Sequence, residues 1–109
     1  MIDDNIKWLG EQLLLCYEEA YNIYRPQVKR IINNKITDVN YIEHTLDRVL
    51  DIYTEKGFYL FIELLLYYRT VNYKNAHDYL EILKEDREEE YNDFVKSIKK
   101  NKDKKKNKQ

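Results

Sequence analysis

The chain has 109 residues, of which 36% are charged, two are Gly and one is Pro. That length bounds it to one domain with a modest core, and so little Gly and Pro cannot punctuate the turns of a β-sandwich or barrel. The formal net charge of −1 hides a split: residues 96–109 hold eight Lys and one Asp (+7), leaving 11 Lys plus Arg and 19 Asp plus Glu (−8) in residues 1–95, an acidic body with a basic tail.

In chain order, the first helix is expected to begin after Asp3 or Asp4, either of which can cap free amides. Ile2, Ile6, Leu9, Leu13, Cys16, Ala20 and Tyr24 recur at helical spacing and predict its buried stripe. Pro26 is expected to end or kink this helix and to open a short helical segment, PQVKRIINN. NNKIT reads as a loop, with Thr37 or Asp38 as the next cap. Val39, Ile42, Leu46, Val49, Leu50 and Tyr53 predict a second helix over 39–55, with Gly57 as its C-terminal cap.

The stretch GFYLFIELLLYYRTV, 57–71, is apolar on nearly every side, with Tyr59, Glu63 and Thr70 forming a narrow polar seam. Such a helix is expected at the centre of the molecule. A small bundle supplies few neighbours, so a homodimer is expected to complete its cover. At 14 residues, 58–71 is shorter than the roughly 20 apolar residues that span a bilayer, and it holds Glu63. After a turn at NYKN, Ala76, Leu80, Leu83, Tyr91, Phe94 and Ile98 predict one long helix from Asn75 to Ile98. The Lys-rich residues 99–109 contain no apolar side chain and are expected to be disordered. The predicted architecture is all-α: one domain, 1–98, a bundle of four to five helices, followed by a disordered basic tail.

The chemistry of catalysis is thin. Ser97 is the only serine, and His44 and His77 are the only histidines. There is no Gly-rich phosphate loop, HExxH or CxxC. Glu43 and His44 are adjacent, so on a helix they point about 100° apart and cannot chelate one ion. His44, Asp47 and Asp51 share a face but read as solvated surface rather than a metal site. No cofactor or metal is expected, and no enzymatic activity. Cys16 is the lone cysteine, which fits a reducing, cytoplasmic setting. The acidic opening MIDDNIKWLG is not expected to act as a secretory signal.

Three features invite a binding role. Arg87 interrupts the apolar stripe of the last helix and is expected to form a structural ion pair with Glu43 or Glu63. The opposite face of that helix gathers Asp78, Glu81, Glu85, Glu88, Glu89 and Asp93 around Ile82. An apolar anchor rimmed by acids suits a basic protein partner, with rim charge raising the association rate. Trp8 and Leu15, seven apart, form a second apolar patch on the first helix, on the side away from its main stripe.

Residues 41–86 resemble a group of short, uncharacterised proteins of conjugative and phage-like elements of Gram-positive bacteria. The likeness rests on IEHTLDRVLD at 42–51, LLLYYRTVNY at 64–73 and the Asn-Ala, Tyr-rich helix at 75–83. It implies a small mobile-element accessory, and small acidic proteins in that setting are often inhibitors of host defence of the anti-CRISPR kind. No functional residue carries over from the group. The expected function is therefore a non-enzymatic protein-binding module that docks on a host nucleic-acid-handling protein. The alternatives are a nucleic-acid-binding accessory using the basic tail, or a structural helical oligomer subunit.

Overall fold

The computed structural model describes residues 4–106, with side chains described through residue 100. Among the described residues the chain forms five helices and no strand. They are α1 (Asp4–Asn33), α2 (Val39–Leu50), α3 (Glu55–Val71), α4 (Tyr73–Asp86) and α5 (Glu88–Lys106).

α1 runs through Pro26 unbroken. Proline removes one donor, the N–H that would reach the Asn22 carbonyl. Both Pro26 and Asn22 are exposed, so water can satisfy that carbonyl. The turns beyond Pro26 are held by burial of Val28 and Ile31 and by Gln27, whose side-chain amide donates to Thr45 Oγ1 at 2.7 Å. The expected break and separate short helix are therefore replaced by one helix of 30 residues, about 45 Å long. It ends in a left-handed cap: Lys35 has φ 52°, and the Ile36 N–H returns to the Ile31 carbonyl at 3.0 Å.

Asp38 caps α2 by accepting from the Tyr41 N–H at 3.2 Å. α2 stops at Leu50 rather than near residue 55, and Thr54 opens α3 by accepting from the Gly57 N–H at 3.1 Å. Gly57 thus lies in the first turn of α3 and does not cap α2. Its glycine is required by close approach: a Cβ there would stand 2.3 Å from the Ile52 carbonyl oxygen.

α3 is central, packed against α1, α2 and α4. It buries Phe58, Leu60, Phe61, Leu64, Leu65 and Tyr68 among Ile31, Ile42, Leu46, Val49 and Leu83. Its cover is incomplete, because Tyr59 and Leu66 remain exposed.

The single helix expected over 75–98 is divided. Arg87 leaves helical geometry (φ −132°, ψ 50°) and separates α4 from α5. Its side chain turns inward, and the Tyr91 N–H still finds the Arg87 carbonyl at 2.9 Å to begin the new helix. α5 continues past Ile98 to Lys106, so residues 99–106 are helical where disorder was expected; residues 107–109 lie outside the described residues. Glu88, Glu89 and Glu90 at the start of α5 and lysines toward its end both favour the helix macrodipole.

The radius of gyration is 16.5 Å, with extents of 48 × 42 × 24 Å. A compact chain of this length would have a radius of about 13 Å. Part of α1 accounts for the elongation, because Asp4–Cys16 overruns the bundle with no buried residue.

Candidate protein-interaction surfaces

From Asp4 to Cys16, α1 has no buried residue, and only Gln12 is even half-buried. Contact with the bundle begins at Tyr17, whose ring meets Tyr53, and at Tyr21, which lies under Lys56 Nζ. The stripe expected to be core therefore divides. Its downstream part continues into the packed face through Tyr24, Val28 and Ile31. Its upstream part stands in water, with Ile6 63%, Leu9 63% and Leu13 51% exposed. The helices available to cover it end before reaching it.

Trp8 and Leu15 lie on the other side of this arm, 61% and 50% exposed. Neither a neighbouring helix nor the segment around Pro26 covers them. Asp4 and Glu11 stand four before and three after Trp8; Glu11 and Glu18 stand likewise about Leu15. Those offsets place the acids beside the apolar pair on one helix face.

Ile82 repeats the arrangement on α4. It is 39% exposed, with Asp78 four before and Glu85 three after it, both exposed. Glu81 beside it is engaged locally, 3.2 Å from Lys84 Nζ and 3.8 Å from His77 Nε2. Glu88, Glu89 and Asp93 are exposed but belong to α5, beyond the break at Arg87. The acidic face expected on one helix is thus two surfaces. Asp78, Glu81, Ile82 and Glu85 share α4, whereas Glu88 and Glu89 occupy the first turn of α5, where the free amides attract them.

The ion pair expected of Arg87 is corrected by its surroundings. Arg87 is 2% exposed, yet neither Glu43 nor Glu63 meets it. Its Nη1 donates to the Ile52 carbonyl at 3.0 Å and its Nη2 to the Thr54 carbonyl at 3.1 Å. The guanidinium lies 5.1 Å from the Tyr53 ring centre and 5.4 Å from that of Phe58. The nearby carboxylate is Glu90, at 3.6 Å on the rim. Backbone carbonyls and aromatic faces replace the expected ion pair: the corner between α2 and α3 turns the Ile52 and Thr54 carbonyls toward the guanidinium, which adds a second donor to each beside the Thr54 and Phe58 N–H groups. Glu63 instead pairs with Lys29 of α1 at 2.5 Å.

Glu43 joins a polar cluster that the sequence did not disclose. The Tyr68 hydroxyl donates to Glu43 Oε2, and Asn75 Nδ2 reaches the same oxygen at 3.1 Å. The Tyr79 hydroxyl donates to Asp47 Oδ1 at 2.8 Å. Burial, then the hydrogen bond to Glu43, pushes the Tyr68 hydroxyl up to about 12. Burial, then Asp47, pushes Tyr79 up as well. Both phenols stay protonated and serve as donors, so the cluster ties α2, α3 and α4 together.

A second unanticipated feature is an open apolar groove of about 370 Å³ between α3, α4 and α5. Ile62, Leu65 and Leu66 form one wall, Ala76 and Leu80 another, and Tyr91, Phe94 and Ile98 the third; Arg69, Tyr73 and His77 stand at its edge. The break at Arg87 creates it, by letting α5 diverge from α4. No sequence periodicity marks such a break, because the apolar spacing runs through Arg87 without interruption.

Among the described residues, no group of three or more His, Cys, Asp or Glu could hold a metal ion, and no helix is long and apolar enough to cross a membrane. No protein-family model, curated protein or solved structure matches the chain.

Proposed function

We propose that this is a non-enzymatic protein-binding module that docks on a basic partner through carboxylate-rimmed apolar anchors. The observation that carries the reading is the repeated surface arrangement. Trp8 with Leu15, and independently Ile82, stand exposed among acids at offsets of −4 and +3. Exposed Trp is costly in water and characteristic of binding hot spots. The rim of carboxylates selects a partner of opposite charge and accelerates encounter. A protein that handles nucleic acid presents such a basic surface, and the acids would occupy it as phosphates do. A mobile-element inhibitor of the anti-CRISPR kind is the biological role this reading favours.

The experiment is capture of a partner from a bacterial host lysate by the intact chain, beside Trp8→Ala and Ile82→Asp. Both positions are exposed, so neither change disturbs the fold. A basic protein retained by the wild type and lost with either variant is the expected result. Retention that neither variant alters would sink the anchor reading. A chain ending at residue 98 distinguishes the nucleic-acid alternative. Partner capture survives that truncation under the present reading, whereas nucleic-acid affinity carried by the lysines would disappear.

A further inference from the structure

The stripe Ile6, Leu9 and Leu13 lies on the face of α1 away from Trp8 and Leu15, so it can be occupied independently of the partner just proposed. We infer that its occupant is the α3–α4–α5 groove of a second copy of this chain, the two copies exchanging arms reciprocally.

Three observations fix that choice. The first is connectivity. α1 is continuous from Asp4 to Asn33 and packs on α2 and α3. No break allows the arm to fold back into the groove of its own chain, so an arm that fills the groove belongs to another copy.

The second is charge. The arm, residues 4–19, carries Asp4, Glu11, Glu18 and Glu19 against one Lys7. No carboxylate lines the groove; its charged or chargeable edge residues are Arg69 and His77, and Lys96, Lys99 and Lys100 follow along α5. Pairing arm with arm would oppose four carboxylates to four, with only one lysine on each side. Arm in groove sets the arm's net charge of −3 (four acids, one lysine) near cations instead, with Asp4, Glu11 and Glu18 remaining on the outer face beside Trp8 and Leu15.

The third is area. From Asp4 to Cys16 the arm is about 20 Å long and about 10 Å across, so its groove-facing half presents roughly 300 Å². Counted on arm and groove and repeated by the two-fold, burial reaches roughly 1,200 Å², the lower bound of a specific interface. One contact alone falls short of that bound, which is why the exchange must be reciprocal. Reciprocity also closes the assembly at two copies.

The test is the solution mass of the full chain by light scattering after size exclusion, at two concentrations. It is made on wild type, Leu9→Asp in the arm and Leu66→Asp in the groove wall. Leu66 is 55% exposed and Leu9 63%, so each variant keeps its helical content, which circular dichroism verifies. The expected result is twice the chain mass for wild type and a halving to the monomer for each variant, with Trp8→Ala remaining dimeric. A wild-type monomer at both concentrations overturns the inference. So does a Leu66→Asp dimer beside a Leu9→Asp monomer, which would mean arm-on-arm pairing. A mass that grows past the dimer overturns the reciprocal exchange. None of these outcomes touches the docking reading, which stands or falls on Trp8 and Ile82.

Discussion

Arg87 shows how one residue can redirect a chain. Its guanidinium gives two hydrogen bonds to the carbonyls of Ile52 and Thr54 and packs between Tyr53 and Phe58, while its Nε finds no partner among the described residues. To deliver those donors, the backbone at 87 abandons the helix. Truncating the side chain removes two charged hydrogen bonds and two cation–π contacts, while the Ile52 and Thr54 carbonyls keep the Thr54 and Phe58 N–H groups at 2.9 and 3.0 Å. Arg87→Ala should therefore cost about 3 kcal/mol, since a hydrogen bond from a charged group contributes about 1.5–3 kcal/mol and two are lost with the ring contacts. Arg87→Lys recovers little of this, because an ammonium cannot reproduce the forked geometry. The sharper measurement is a double-mutant cycle by urea denaturation. Arg87→Glu combined with Glu43→Arg or Glu63→Arg should regain nothing beyond additivity, because neither glutamate contacts Arg87. Recovery of 1 kcal/mol or more, the range of coupling for residues in contact, would restore the direct ion pair.

At the scale of elements, α2, α3 and α4 are joined by the Glu43–Tyr68–Asn75 cluster and by Tyr79 with Asp47. Tyr68 holds its proton up to about 12 when folded, against about 10 in the unfolded chain. A pKa raised by folding contributes stability that is complete below pH about 10 and is lost as pH climbs through about 12. Urea midpoints measured from pH 8 to 11.5 should fall steeply above 10. Tyr68→Phe should be less stable than wild type at pH 8 yet lose less stability over the alkaline span. Parallel pH profiles for the two proteins would remove Tyr68 from the linkage. The sequence could not announce this cluster, since Glu43 reads there as an edge residue and Tyr68 as one more aromatic in an apolar run. What periodicity did convey was the identity of the packed faces: Ile42, Leu46 and Val49 on α2, and Ala76 and Leu83 on α4, are buried where their spacing puts them. Periodicity misled where a helix outran its neighbours. Leu9 and Leu13 have the same spacing as core residues, and only the lengths of the other helices decide that they face water. It misled again at Pro26 and Arg87, where local propensity and apolar pattern gave way to burial on one side and backbone hydrogen bonds on the other. Trp8, Leu15 and Ile82 were legible as exposed apolar residues because they fall off the stripes, whereas the groove could not be read before the break between α4 and α5 was known.

For the whole molecule, the arm is a helix without an inside. A helix as short as Asp4–Cys16 is marginal in water by itself, because nucleation is costly below about 12–15 residues. Here it needs no nucleus of its own, since it propagates from the packed half of α1. Removing residues 1–16 should therefore leave the bundle standing. The expected outcome, at a protein concentration low enough to keep both chains monomeric, is a urea midpoint corresponding to a change of less than about 0.5 kcal/mol, the range of surface substitutions. The urea slope should also be unchanged, because it follows the area exposed on unfolding and the arm contributes almost none. The helical circular dichroism per molecule should fall, since the arm is lost. At higher concentration the two chains should part: the wild type gains stability with concentration by mass action, and the truncated chain does not. A lower slope in the truncated monomer would mean that the arm packs against its own bundle, which would leave it nothing to offer a second copy. An unchanged slope with concentration-dependent stability only in the intact chain would place the arm's contribution wholly between molecules.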